Sequence, residues 1–190
     1  MAEPMLGSPG EDLGLVIDFT TKLRHGGNDF REAAKKFLRR TLVTLRHGDG
    51  ATKAVLLAAY NLVGDIARAF VESDKFRTAS VSEDVDLEFV DGTDFDHNPS
   101  SDEVLTELAR RGLEEPTEED ALRYGATCPE GKDKRAVVFL HKKNLWSGPR
   151  GGLGVLVVSW GGSRRELDCD WFDYAWGRQS GRFAGRRPRK

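Results

Sequence analysis

Apolar positions recur with helical spacing through the first part of the chain. Phe30, Ala33, Ala34, Phe37, Leu38, Thr41, Leu42 and Leu45 follow the i, i+3, i+4, i+7 rule. This predicts a helix capped by Asn28 or Asp29 and stopped at Gly48. Val55, Leu56, Ala59, Leu62, Val63, Ile66, Ala67 and Phe70 repeat the rule and predict a second helix over 52–71. The short link His47-Gly48-Asp49-Gly50 would join the two as an antiparallel helical hairpin. Upstream, 13–23 fits a shorter helix, although Leu15, Val16, Ile17 and Phe19 fit a strand equally well. Leu23-Arg24-His25-Gly26 and Leu45-Arg46-His47-Gly48 read as two helix ends, each with a basic turn before glycine.

Beyond Lys75 the period changes from helical to alternating. Asp84, Asp86 and Glu88 interleave with Val85, Leu87 and Phe89, which predicts a half-buried strand. Short helices are predicted over 104–111, capped by Ser101 or Asp102, and from Pro116-Thr117 onward. Glu118, Glu119 and Asp120 suit the positive end of the second. Ala136-Val137-Val138-Phe139-Leu140 and Val155-Leu156-Val157-Val158 read as central strands covered on both faces. Glu166, Asp168 and Asp170 alternate with Leu167, Cys169 and Trp171 in an amphipathic strand after the Gly161-Gly162 turn. The connections are too short for crossover helices, so an antiparallel meander is expected. The expected fold is α+β: an N-terminal helical hairpin (about three helices) packed with a C-terminal antiparallel sheet, plus a flexible basic C-terminal tail. The regions are 1–75 helical, 76–130 acidic strand-loop-helix, 131–176 β and 177–190 tail, forming one compact domain with an appendage.

Composition sharpens this in one respect. The chain has 190 residues, 38% of them hydrophobic, which suits one domain with a real core. Its net charge of −2 hides a partition. Residues 82–130 carry sixteen acidic and three basic side chains, and residues 131–190 fourteen basic and five acidic. Local sign therefore says more about partners than the overall balance. Cys128 and Cys169 form no C-x-x-C pair, so a thiolate zinc site is not expected. Residues 1–10 lack a basic stretch followed by an apolar run, and no apolar run approaches membrane-spanning length. A cytoplasmic protein without signal peptide or membrane partner is expected.

The tail points to a partner class. Gly177-Arg178-Gln179-Ser180, Gly181-Arg182-Phe183-Ala184 and Gly185-Arg186-Arg187-Pro188 carry three Gly-Arg steps in register, followed by Arg189-Lys190. Guanidinium forks suit phosphate oxygens, and Phe183 offers a ring to stack on a base. Arg186-Arg187-Pro188-Arg189-Lys190 resembles an AT-hook, a minor-groove-binding element, with Arg186 where that family has its central glycine. Lys142, Lys143 and Arg150 would extend the basic surface. The leading expectation is a non-enzymatic nucleic-acid-associated protein, contacting DNA or RNA phosphates through Arg178, Arg182, Arg186, Arg187, Arg189 and Lys190. The competing reading docks the tail on the chain's own acidic segment.

Two other function classes rest on the acids. The region 82–120 could recognise a basic protein partner. Alternatively, Ser82-Glu83-Asp84-Val85-Asp86-Leu87 resembles the Asp-x-Asp strand of nucleotidyltransferases. That resemblance implies a metal held by Asp84 and Asp86, with a third carboxylate from Asp168 or Asp170. Alternating acids also make a solvated or edge-protecting strand face, which is the reading taken for 166–170. Arg46-His47-Gly48 resembles the strand-borne motif of the histidine phosphatase superfamily, in which His47 would be the nucleophile and His141 the second histidine. The helical spacing through Leu45 favours a plain helix end instead. No cofactor and no catalytic residue is assigned.

Overall fold

The computed structural model describes residues 42–128, 135–142, 146–148, 151–179 and 181–188. The predicted element over 13–23 and the predicted first helix through Thr41 lie outside them. From Leu42 to His47 the chain is not helical. Val43–His47 forms strand β1, with alternate side chains Leu45 and His47 buried. It pairs antiparallel with β3, Glu83–Asp91, setting Arg46 opposite Asp84 and Thr44 opposite Asp86. The Thr44 hydroxyl donates to Asp86 at 2.6 Å. The β-branched pair Val43-Thr44 suits a pleated edge, and cross-strand partners outweigh the local helical period.

The second predicted helix is divided as well. Lys53–Leu57 forms α1 and Asp65–Glu72 forms α2, and between them Leu62–Val63 makes the short strand β2. Asn61 donates its N–H to the Arg165 carbonyl at 2.9 Å, and its Oδ1 accepts the Arg165 N–H at 2.8 Å. Gly64 donates to the Leu167 carbonyl at 2.9 Å. These bonds lay β2 parallel to β7, Arg164–Trp171. Helix propensity across Asn-Leu-Val-Gly is weak, so the strand partner decides the conformation. The expected helical hairpin is absent from the described residues.

The other helices are α3, Ser101–Arg110, and α4, Glu118–Thr127, both opened by capping boxes. Strands β4 (Ala136–Phe139), β5 (Trp146–Ser147), β6 (Leu153–Gly161) and β8 (Gly181–Arg186) complete the described sheet. Its order is β1-β3-β8-β4-β6-β7-β2, with β5 paired to β6. The sheet is mixed: β8 runs parallel to β4 and β2 parallel to β7, while the other pairs are antiparallel. It curls into a half-barrel. The larger correction concerns the basic tail. Its middle is β8, inserted between β3 and β4 and buried from Gly181 through Gly185.

Both sheet faces are covered, as the continuous apolar runs of β4 and β6 require. On one face α1, α2 and α4 bury Leu56, Phe70 and Leu122 against Leu87, Phe139 and Val158. On the other, α3 sets Val104 and Leu108 against Val90, Val157 and Phe183. Tyr124 of α4 stands among Phe89, Phe139 and Trp160, with ring centroids 5.6 to 5.8 Å away. No helix among the described residues is long and apolar enough to cross a membrane.

Gly125 lets α4 approach this closely. A Cβ there would lie 2.0 Å from Oη of Tyr60, whose hydroxyl donates to the Ala121 carbonyl at 2.6 Å. Gly125→Ala is expected to cost about 1–3 kcal/mol by overpacking, read as a lowered urea midpoint at unchanged slope. An unaltered midpoint would show that Tyr60 is free to move aside.

Candidate functional site

The first turn of α4 carries three consecutive acids, all buried. Asp120 closes the capping box, accepting the Thr117 N–H at 2.7 Å. The same carboxylate meets His47 Nε2 at 2.8 Å and Arg186 Nε at 2.9 Å, close ion-pair contacts outside ideal hydrogen-bond alignment. Glu119 meets His47 Nδ1 at 3.3 Å and accepts from Arg123 Nε at 2.6 Å and the Ala79 N–H at 2.5 Å. Arg123 also donates to the Arg46 carbonyl and, at 3.0 Å, to Asp49. This network ties β1, α4 and β8 together.

Charge states follow from that geometry. Burial acts to lower the His47 pKa, but its contacts with Asp120 and Glu119 outweigh this and raise it to about 9. Burial would raise the Glu119 pKa, yet His47, the Ala79 N–H and Arg123 hold it below the usual range. Arg123 and the Ala51 N–H bring Asp49 down to about 2. With His47 1% exposed and each ring nitrogen close to a carboxylate, the network holds the fold together and His47 is not presented to a phosphoryl donor. Arg46-His47 does end a strand, as the phosphatase motif would, but β3 and β8 separate it from β4, which leads into His141.

Arg186 is the hinge between this network and solvent. Two adjoining cavities of about 340 Å³ and 580 Å³ share Arg186 and Glu114. The smaller is otherwise lined by Glu83, Asp84, Val85 and Arg187. The larger adds Glu115, Glu118 and His141, with Leu113 and Pro116 as apolar wall. The arginines facing the cavities are already matched. Arg186 lies 3.6 Å from Glu83 in addition to its contact with Asp120, and Arg187 lies 3.0 Å from Glu88. Glu115 accepts the Lys142 N–H at 2.7 Å. Glu118 differs from its neighbours: it is 6% exposed, and its Oε1 accepts no hydrogen bond.

No protein-family model, curated protein or solved structure matches the chain. The groove is therefore read from its own chemistry.

The described residues among those predicted to contact nucleic acid take different positions in the fold. Arg182 is buried, 3.1 Å from Asp91 and stacked 4.6 Å over the Phe89 ring. Phe183 is fully buried, edge-on to Phe95 and Trp176. Arg178 is half-buried, Arg187 remains 46% exposed, and Lys142 is exposed with its Nζ 2.7 Å from Asp102. Lys143, Arg150, Arg189 and Lys190 lie outside the described residues. Asp91, Asp120, Glu83 and Glu88, the acids that meet the tail arginines, all come from the acidic segment.

The candidate metal ligands are not brought together. Asp84 and Asp86 lie on β3, and Asp168 and Asp170 on β7, with β8, β4 and β6 between them. Four strand spacings put the pairs on the order of 19 Å apart along the sheet. Among the described residues no group of three or more His, Cys, Asp or Glu is arranged to hold a metal. Sequence reasoning held Glu114, Glu115 and Glu118 only as part of the acidic region 82–120, without singling them out, and missed His141 as a groove residue. One signal was present: acids flank Pro116-Thr117 on both sides, more carboxylates than a helix start requires.

Proposed function

We propose that the protein is a non-enzymatic binding module whose groove between β3, β8 and the start of α4 docks a basic segment of a partner protein. The observation that carries this is charge balance in the groove. Its lining holds five carboxylates, Glu83, Asp84, Glu114, Glu115 and Glu118, against two arginines, Arg186 and Arg187, which Asp120 and Glu88 outside the lining already meet. The surplus is negative, which speeds encounter with a basic segment and selects against polyanions at this surface. A cytoplasmic setting fits Cys128 and Cys169, both free thiols.

The test is an anisotropy titration of the full chain with a labelled arginine- and lysine-rich peptide, run beside labelled duplex DNA, single-stranded DNA and RNA. The peptide is expected to bind on the order of micromolar, more weakly as salt rises. The double variant Asp84→Asn, Glu114→Gln should weaken it several-fold. Tighter binding of a nucleic acid, lost on Arg187→Gln, would overturn this reading in favour of the basic C-terminus.

A further inference from the structure

A negative groove accounts for attraction but not for the burial of Glu118. Glu118 opens α4 beside two acids that are fully engaged, Glu119 by His47, Arg123 and the Ala79 N–H, and Asp120 by the Thr117 N–H, His47 and Arg186. Its own Oε1 is buried and accepts nothing, while the residue lines the larger cavity. Burying a carboxylate oxygen without a donor is costly, and native structures place partners on such atoms. A group bringing N–H donors and positive charge into the cavity would suit this carboxylate. The carboxylates Glu114, Glu115 and Glu118 in the lining favour an organic cation in this role. An anion on Arg186 is disfavoured by Glu114, Glu115 and Glu118 around it and by Asp120 already against its guanidinium.

We propose that the larger cavity receives one arginine side chain of the docked segment, with Glu118 as its anchor. This rests on the reading of the groove as a docking site. Arginine suits the cavity better than lysine for two reasons. Its planar guanidinium is weakly hydrated and carries several donors in a fixed fork, which can serve Glu118 inside while reaching the rim carboxylates. Its methylenes would pack on Leu113 and Pro116, the apolar wall.

The experiment titrates the full chain with an acetylated, amidated oligolysine peptide and with the same peptide carrying one arginine. The arginine peptide should bind about tenfold more tightly, and Glu118→Gln should remove that preference while leaving the weaker oligolysine binding intact. Glu118→Asp, which keeps the charge at the helix start but withdraws the carboxylate by one methylene, should reproduce the loss if glutamine disturbs folding. Equal affinity of the two peptides for the parent chain would overturn the arginine anchor. So would an unchanged preference in both variants, and in either case the docking reading stands if Asp84→Asn, Glu114→Gln weakens both peptides. Failure of both peptides to bind the parent chain overturns both proposals.

Discussion

Deletion of residues 177–190 is expected to abolish cooperative folding. The segment supplies β8, the hydrogen-bonding partner of β3 on one side and β4 on the other. Without it the sheet is cut between two buried strands. Phe183 and Ala184 leave opposite cores, each fully buried. The loss of a core phenylalanine side chain alone costs about 3–5 kcal/mol, set against a total stability of roughly 5–15 kcal/mol. Glu88 and Asp120, buried in the fold, also lose contacts with Arg187 and Arg186. Circular dichroism through a urea titration reads the outcome, and a truncated chain with the parent midpoint would refute it. Phe183→Ala is the graded form, lowering stability without removing the backbone partner. One consequence concerns binding assays. Loss of any ligand on truncation would reflect unfolding as readily as lost contact, so Arg187→Gln is the informative variant for the basic C-terminus.

Stability is expected to fall as pH rises from about 6.5 to 9, and His47→Gln should largely remove that dependence. The folded-state pKa of His47 is raised from 6.5 to about 9. Its contribution is therefore complete below the unfolded value and is lost as pH climbs through the folded one. The facing groups are Glu119 and Asp120, backed by Arg123 and Arg186, and the arginines keep their charge across this range. Glu119, with its pKa lowered, contributes in the opposite direction. Its stabilisation is present at neutral pH and is lost as pH falls through the acid range. At pH 6 His47→Gln leaves Glu119 and Asp120 short of a buried cation, a change expected to cost about 3–5 kcal/mol. Urea midpoints of the two proteins should converge toward pH 9. Parallel profiles would show that His47 does not titrate against these carboxylates.

Legibility in the sequence followed the dominance of local signals. The alternation of 84–89 and 166–171 and the apolar runs at 136–140 and 155–158 correspond to β3, β7, β4 and β6. There, side-chain period and burial largely agree, the exception being Glu88, which is buried against Arg187. The helix start near Thr117 was legible, whereas the cap of α3 is Ser100, one or two residues before the Ser101 or Asp102 read from the sequence, because its capping box with Glu103 decides the start. Helical spacing misled at 42–45 and at 61–64, where the winning interactions are with β3 and β7, distant in sequence. The candidate groove was harder still to see. Its lining comes from β3, the 113–118 stretch, His141 and β8, and only the sheet order makes them neighbours.

The Gly-Arg repeat shows where the boundary lies. Composition alone determined that it carries cations and little apolar surface, and that residues 82–130 carry the complementary charge. Its four-residue step is also compatible with a strand. Gly181, Phe183 and Gly185 share one face, and Arg182, Ala184 and Arg186 the other. Little local makes such a stretch extended, because it contains no β-branched residue and a single aromatic, Phe183. Tertiary structure decided it by placing β3 and β4 on either side to take its backbone groups and by bringing up Asp91, 91 residues earlier, and Asp120, 66 residues earlier. It also brought the α3 side so close that a Cβ at Gly185 would lie 2.8 Å from Leu108. The sequence by itself determined which charges must find partners. Only the fold decided that they find one another inside the protein, because a central strand draws its stability from neighbours and not from its own residues.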